Sequence, residues 1–549
     1  MKKLIFISVV LSVLFIQCSS ENDEHFTNIE PSKIEEDEII IGKKLDNPYK
    51  LENMQEALNV LYEEGMLKSK TKLKPTHLYI RYLPSTDDEL ALLKKDNTLV
   101  TFDYPLDYEF VKSGTYYHDP SLLENTITWQ YTVVTVDHKF KNITYEIIDE
   151  LFMDDEAGKL KSSEINNYDF EIIEKQSFKL TGNLNQEQKN NSVLKSNKWT
   201  PSGKITLIDT ELGEIPLAGV PVRARNFTKI RWGYTDSNGE FSVNGEFSVD
   251  HVDMCIKWET PDYDIRSGSY GQAYYNDPVD LQKGTSWNVQ IKSNSTPQNW
   301  LYAHVFRAAN IYYYESSTWG LKPPTGGLVS KFIHIGARDE QGRSHYFDFN
   351  AFWGASTVVV YSQNGLSSHY NSYTIFATTI HELAHVSHWE LGYSTGQYVI
   401  DFLTCKAMLL CESWATCIEW KITNDVYSGL TGSKINSGYD KLYYGDTQKK
   451  SINICNKDGY SPLFIDMIDD YNQYDMIGTA YPKDNVNGYT VAQLENVMKK
   501  TFLTWEHLGL GLLAVAYETL AYEVYELKLK STYNNSTEEK LEELFDNFY

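Results

Sequence analysis

Two histidines and a glutamate at positions 381, 382 and 385 have the residue types and the spacing of a metal site. The local sequence is His381-Glu382-Leu383-Ala384-His385. On an α-helix, residues four apart lie on one face and about 6 Å apart along the axis, so both imidazoles point to the same side. Imidazole pairs with this spacing bind zinc, and the Glu382 carboxylate beside them is suited to accept a proton from an attacking water.

The residues around this pentapeptide indicate a helix that is buried on its other faces. Gly392 follows where a C-terminal cap is expected. The apolar flanking residues are Ile375, Phe376, Ile380, Leu383, Ala384, Val386 and Trp389. The alternative interpretation is an amphipathic helix whose histidine and glutamate stripe simply faces solvent. The apolar flanks favour the metal site.

A catalytic zinc ion takes three protein ligands, so a third must come from elsewhere in the sequence. His388 is one candidate, but one straight helix does not place three imidazoles well around a single ion. Glu412 is the other candidate, in a predicted second helix over residues 399–420. Its neighbours are apolar, namely Met408, Leu409, Leu410, Trp414 and Ile418. A buried acid is costly unless it is paired or binds metal, so Glu412 is the predicted third ligand.

The order H-E-x-x-H followed by Glu412 resembles the gluzincins, zinc metallopeptidases such as thermolysin in which a Glu on the following helix completes the site. The spacing is also similar to that of enhancin-like peptidases, which attack mucin-type glycoproteins. The resemblance implies that His381, His385 and Glu412 bind Zn²⁺ and that Glu382 is the catalytic base. It further implies a zinc-dependent endopeptidase (a hydrolase) with protein or glycoprotein substrates.

Two related patterns are absent, and one gluzincin feature differs. A metzincin would have glycine and histidine where this chain has His388 and Leu391, and an aspzincin would have a downstream Gly-Thr-x-x-Asp. Thermolysin-like enzymes carry an Asp four residues after the ligand Glu, where it supports a ligand histidine, but this chain has Thr416. Glu419, one helical turn further, is a candidate substitute. The alternative for Glu419 is a solvated acid on the helix surface.

The elements that must position these residues fall into three predicted parts, which makes the chain a multidomain protein. Residues 46–195 have mixed helix and strand patterns and are predicted to form an α+β module of unknown role. Residues 198–293 alternate like short strands and predict a central β-sandwich. Residues 297–549 predict a C-terminal, mostly α (α+β) zincin-like catalytic domain.

Within the C-terminal part, a helix and two strands are predicted before the H-E-x-x-H helix. An apolar stripe predicts the helix over residues 300–316, and β-branched runs predict strands over 331–336 and 356–361. In zinc peptidases, a strand before the H-E-x-x-H helix forms the edge that pairs with an extended substrate. The resemblance therefore implies such an edge here.

The central part carries three segments that resemble the carboxypeptidase regulatory-like domain, a small transthyretin-like β-sandwich. These are Gly203-Lys204-Ile205, the sequence P-L-A-G-V-P-V at 216–222 and the sequence T-D-S-N-G-E-F at 235–241. The Asp-Ser-Asn-Gly stretch between two alternating runs predicts a hairpin turn. Asp236 and Asn238 fit a turn better than a calcium site.

The N-terminus resembles a bacterial lipoprotein signal. A short basic head precedes an apolar run at residues 4–16, too short to span a bilayer, and residues 1–17 are the predicted signal peptide. The run ends at Cys18, the predicted lipidated residue, although lipoproteins usually have a small residue where this chain has Gln17. Residues 18–45 read as an acidic tether similar to that of Bacteroidetes surface lipoproteins. The predicted location is the outer membrane or cell surface, or the medium if Cys18 is not lipidated.

The charge balance limits the partners of the chain. With 75 acidic and 50 basic residues, the formal net charge is −25, which argues against nucleic acid and against docking on anionic lipid. Membrane contact is expected through the lipid anchor only. The alternative function is a non-catalytic surface lipoprotein that binds a glycan or a protein and uses the zinc site to hold its fold.

Overall fold

The protein structure is a computed structural model. It describes residues 38–123, 126–155, 165–183, 198–268, 271–326, 332–346, 355–363, 369–391, 405–431, 461–470, 472–476, 483–507 and 520–548. The predicted signal peptide, Cys18, most of the predicted tether and Gly392 lie outside the described residues.

The N-terminal part is a mixture of helices and antiparallel strands. In chain order its elements are β1 (Ile40–Lys44), α1 (Leu51–Glu63), β2 (His77–Leu83), α2 (Asp87–Lys94), β3 (Tyr108–Lys112), β4 (Gln130–Thr135), β5 (Thr144–Leu151) and α3 (Asn167–Leu180). β2 lies between β4 and β5 in a three-stranded sheet, and β1 pairs with β3. β1 falls in the range predicted as tether, and the adjoining Ile39 is buried in the core of this part.

The central part consists mainly of two four-stranded sheets. Its strands are β6 (Ser202–Asp209), β7 (Gly213–Pro216), β8 (Pro221–Asn226), β9 (Lys229–Tyr234), β10 (Glu240–Ser242), β11 (His251–Lys257), β12 (Tyr263–Ser267), β13 (Gly271–Gln272), β14 (Tyr274–Gln282) and β15 (Trp287–Ile291). One sheet has the order β10-β6-β15 with β7 also paired to β6, and the other has the order β14-β11-β8-β9. Both sheets contribute side chains to one apolar core, for example Ile205 from the first and Val222 from the second.

A five-stranded sheet joins the central part to the C-terminal part. The chain continues with α4 (Pro297–Glu315), β16 (Ile333–Gln341), β17 (His345–Tyr346) and β18 (Val358–Gln363). The helix α4 and the strands β16 and β18 confirm the helix and the two strands that the sequence predicts. The sheet order is β13-β12-β16-β18-β17, with β12, β16 and β18 parallel. Two strands from the range predicted as the β-sandwich therefore belong to the sheet that precedes the H-E-x-x-H helix.

The remaining described elements are helical. They are α5 (Ser372–Glu390), α6 (Cys405–Thr431), α7 (Leu463–Asp466), α8 (Gln473–Met476), α9 (Val491–His507), α10 (Leu520–Thr532) and α11 (Leu541–Asp546), with single 3₁₀ turns at Ser316–Trp319 and Glu538–Lys540. α5 contains the H-E-x-x-H sequence. α6 contains Glu412 and continues beyond the predicted end at residue 420. The two helices pack against each other, and α5 also packs on α4.

The chain is a mixed α+β, multidomain protein with several β-sheets. One large apolar core extends from the central strands to the last helices, and a second core fills the N-terminal part. Ile230, Cys255 and Tyr274 of the central part belong to the second core, so the N-terminal part packs directly on the central strands. Within the described segments, no helix combines the length and the apolar composition needed to cross a membrane.

Candidate metal centre

The helix that carries the H-E-x-x-H sequence is fixed at its N-terminal end. The side-chain oxygen of Asn371 accepts the backbone N–H of Thr374 at 2.8 Å, a typical N-cap contact. The hydroxyl of Ser372 lies 3.0 Å from Nε2 of the buried His304 on α4 and accepts the N–H of Thr210 at 2.9 Å. The start of α5 is therefore attached both to α4 and to the turn after β6.

The second helix, α6, is held by its own buried contacts. The hydroxyl of Tyr427 donates to Asp209 at 2.9 Å, and Arg307 on α4 lies 3.3 Å from the same carboxylate oxygen. Near the middle of α6, the hydroxyl of Ser413 lies 2.7 Å from that of Ser461. These contacts join residues that are far apart in sequence, so periodicity and local spacing could not reveal them. The one signal in the sequence is an aspartate, Asp209, at the end of an alternating run that predicts a strand.

The two helices bring three ligand atoms together. Nε2 of His381 lies 3.2 Å from Nε2 of His385, and Oε2 of Glu412 lies 3.4 Å and 3.3 Å from these two nitrogens. The three atoms thus form a nearly equilateral triangle. His381 and Glu412 are buried and His385 is partly exposed, so the group lies below the surface with His385 nearest to solvent.

The dimensions and chemistry of this triangle fit a zinc ion. Zinc bound tetrahedrally at about 2.0–2.1 Å from each ligand requires ligand atoms about 3.3–3.4 Å apart. Two imidazole nitrogens and one carboxylate oxygen form a common donor set of catalytic zinc sites. Oε2 of Glu412 is buried, and no hydrogen bond of normal geometry reaches it from the described residues. A cation would satisfy that oxygen.

Glu419 contacts the side of His381 that faces away from the triangle. Its Oε2 lies 3.0 Å from Nδ1 of His381, close enough to accept the Nδ1–H. This contact would leave Nε2 of His381 without a proton and turned toward the other ligands. Thr416, at the position where thermolysin-like enzymes have an Asp, has a buried hydroxyl without a hydrogen-bond partner among the described residues.

His388, the alternative third ligand, is also buried and lies beside the site. Its ring centroid is 5.5 Å from that of His385. Among the described residues, the ligand atoms of His381, His385 and Glu412 all lie within 4.8 Å of one another. His388 is not part of this group. Burial holds the pKa of His388 well below its ordinary value, so its imidazole is neutral at pH 7.

The charges of the site influence one another strongly. Burial lowers the pKa of His381, but its contacts with Glu412 and Glu419 outweigh burial and hold the pKa well above its ordinary value. Burial raises the pKa of Glu412, yet the nearby His385 and His381 hold it below its usual range. Burial also raises the pKa of Glu382, and His381 and His385 offset part of this rise. Without metal, the Glu412 carboxylate therefore keeps its charge more readily than usual, beside an imidazole that binds a proton more readily than usual.

No protein-family model matches this sequence, and comparison with curated proteins finds no significant relative. The functional assignment therefore depends on the residues and geometry of the site.

Proposed function

We propose that the protein is a zinc-dependent endopeptidase that hydrolyses protein or glycoprotein substrates. The observation that carries this proposal is the triangle of His381 Nε2, His385 Nε2 and Glu412 Oε2, with Glu382 between the two histidines on the same helix. Three protein ligands leave one tetrahedral position for water or substrate. An ion with an open position supports catalysis rather than a purely structural role.

His381, His385 and Glu412 would hold the zinc. When bound there, zinc supplies a Lewis acid that polarises a substrate carbonyl and lowers the pKa of a water at the site. Glu412 contributes a negative charge and so reduces the net charge of the centre. Glu419 would orient His381 through the Nδ1–H and make its Nε2 a better ligand.

Glu382 is the proposed general base. Its side chain is nearly buried, and burial raises its carboxyl pKa, which makes the carboxylate a stronger proton acceptor near neutral pH. In the proposed reaction, Glu382 accepts a proton from the water that attacks the scissile carbonyl. It then donates that proton to the amine that leaves, so the carboxylate is regenerated.

The proposal extends to the family, the domains and the location. We interpret the C-terminal part as a gluzincin-like catalytic domain and the two four-stranded sheets as a carboxypeptidase regulatory-like β-sandwich. The signal sequence supports a lipid anchor at Cys18 and a position in the outer membrane or on the cell surface. The net negative charge of the chain supports extracellular protein or glycoprotein partners rather than nucleic acid.

Substitution of Glu382 tests the mechanism. We expect Glu382→Gln to fold and to retain one zinc per chain, because the three ligands are unchanged, but to lose about 10²–10⁴-fold in peptide hydrolysis. Zinc content by atomic absorption and digestion of casein and mucin would measure the two effects. The control is Glu315→Gln on α4, which removes an exposed acid outside the site.

Two results would contradict this proposal. Hydrolysis by Glu382→Gln at the wild-type rate would exclude Glu382 as the base. A wild-type protein that binds zinc through Glu412 but cleaves neither substrate would instead support a structural zinc site in a binding protein. Glu412→Ala, which removes one ligand, identifies the metal site in either case because its zinc content should fall.

A further inference from the structure

A second group of acids lies in the segment that follows α6. Asp466 ends α7, Asp469 lies one turn later and Asp484 precedes α9. Asp466 is 0% exposed, and neither of its carboxylate oxygens has a hydrogen-bond partner among the described residues. Asp484 is 4% exposed. Its Oδ1 accepts the N–H of Val486 at 3.2 Å, while its Oδ2 has no such partner within the described segments.

The backbone brings these acids to one place. Asp466 and Asp469 are three residues apart in a helical turn, in which Asp469 donates its N–H to the carbonyl of Ile465 at 3.0 Å. Their side chains therefore lie on one side of the turn. The N–H of Tyr489 donates to the carbonyl of Met467 at 3.0 Å, which places the chain after Asp484 beside the same turn.

The acids repel one another in this buried place. Burial and then the charges of Asp484 and Asp469 raise the pKa of Asp466 well above its ordinary value. Burial and the charge of Asp469 raise the pKa of Asp484 to about 9. No lysine, arginine or histidine forms an ion pair with Asp466 or Asp484 in the described part of the chain. Buried carboxylates in this condition need either a proton or a cation.

We propose that Asp466 and Asp484 bind a calcium ion, and that Asp469 adds a third carboxylate to the negative charge of the site. The donors are oxygens only, which favours a hard cation over zinc or another transition metal. Calcium also accepts irregular coordination that water and backbone carbonyls can complete. The acids are spread more widely than the ligand atoms of the zinc group, as expected for like charges without a cation between them.

A cation at this position would stabilise the helix that carries Glu412. The segment packs on α6 through the Ser461–Ser413 contact and through the ring of Phe464, whose centroid lies 5.4 Å from that of Trp414. Ser413 and Trp414 directly follow Glu412 in the sequence. The calcium ion would therefore hold residues 461–470 and 483–489 against the zinc-ligand helix without contacting zinc or substrate.

Calcium binding to the full-length, zinc-loaded protein tests this inference. Equilibrium dialysis with ⁴⁵Ca²⁺ at pH 7 should give one calcium per chain, and 5 mM Ca²⁺ should raise the melting temperature by about 3–6 °C relative to the same concentration of Mg²⁺. Asp466→Asn and Asp484→Asn should each weaken calcium binding at least tenfold. The matched control is Asp475→Asn, an exposed acid in the same segment, which should bind as the wild type does.

Two results would overturn the inference. A wild-type protein that binds no calcium at pH 7 would mean that protons, or a base outside the described residues, neutralise these acids. Calcium bound equally well by Asp466→Asn and Asp484→Asn would place the ion elsewhere. The wild-type protein alone shows whether calcium binds, so the inference stays testable even if a variant does not fold. Zinc content measured in the same samples shows whether a loss of calcium binding occurs while the zinc site is still occupied.

Discussion

At the scale of single residues, the position of Glu419 has the clearest consequence. The side chain is partly exposed, yet its carboxylate lies 3.0 Å from Nδ1 of the buried His381. An imidazole can turn either nitrogen toward a metal, and a carboxylate on one nitrogen fixes the other as the ligand. We therefore expect Glu419 to give His381, from a position one turn later, the support that an Asp gives in thermolysin-like enzymes.

Replacement of Glu419 should weaken metal binding without removing it. We expect Glu419→Gln to lower zinc affinity by about 10–100-fold, because the amide holds the Nδ1–H less strongly and adds no negative charge. Competition with a chromophoric chelator would measure the affinity. Asp425→Asn removes an exposed acid from the same helix and serves as the control. Equal affinities for the wild type and Glu419→Gln would mean that Glu419 is a solvated surface acid.

At the scale of elements, the turn between β9 and β10 shows how local sequence fixes a tight turn, although the two strands belong to different sheets and do not form the predicted hairpin. Oδ1 of Asp236 accepts the backbone N–H groups of Asn238 at 2.8 Å and Glu240 at 2.9 Å, which is a turn role rather than a metal role. Gly239 has a φ of +74°, and a side chain there would collide with the carbonyl oxygen of Ile205 on the neighbouring strand. The turn therefore requires glycine for its conformation and for its close contact.

A pair of glycine substitutions separates these two requirements. Gly213, in the same sheet, has a φ of +76° but open space around it. We expect Gly213→Ala to cost about 1 kcal/mol through backbone strain alone, and Gly239→Ala to cost about 2–4 kcal/mol because the strands must also move apart. The first thermal unfolding transition of the two variants measures the difference. Equal shifts would show that the contact with Ile205 relaxes easily.

At the scale of the whole molecule, a buried ionic network joins the N-terminal part to the central part. The ammonium group of Lys94, on α2, contacts Asp264 of β12 and lies 3.1 Å from Glu259 and 2.8 Å from Gln272. Lys257, on β11, lies 2.9 Å from Asp103 of the N-terminal part. Since removal of the N-terminal part would take Lys94 and Asp103 away from their central partners, we expect this part to be integral to the fold.

Loss of one charge from this network should destabilise the protein strongly. We expect Lys94→Ala to cost about 3–5 kcal/mol at pH 7, because it leaves Asp264 and Glu259 with one partner fewer. Lys95→Ala, at the neighbouring exposed position, should change stability by less than about 0.5 kcal/mol. Urea unfolding followed by tryptophan fluorescence would compare them. A small effect of Lys94→Ala would indicate that water enters the interface and that the parts separate readily.

The pKa of Glu259 sets the pH range in which Lys94→Ala and Lys95→Ala should be compared. Burial raises its carboxyl pKa, but Lys257, Lys94 and Arg223 together lower it to about 2. A depressed carboxyl pKa stabilises the folded state above the ordinary value near 4.5, and this contribution is lost as the pH falls toward 2. Glu259 is therefore ionised at pH 7, where the two lysine variants are compared.

The sequence alone determined the features that depend on local spacing. Helical periodicity and apolar flanks identified α4 and α5 and placed His381, Glu382 and His385 on one helix face, because these properties repeat within a few residues. β-branched runs identified β16 and β18, and an acid within an apolar stretch singled out Glu412. The turn role of Asp236 followed from residue type in the same way.

The tertiary structure decided every feature that depends on contacts distant in sequence. It brought Glu412 within 3.4 Å of both histidines, turned Glu419 toward His381 and collected Asp466 and Asp484 without a paired base among the described residues. It also assigned β12 and β13 to the sheet that precedes α5 rather than to the two central sheets. The physical reason is that burial and charge pairing belong to the packed chain, and no local pattern encodes which distant residue fills each position.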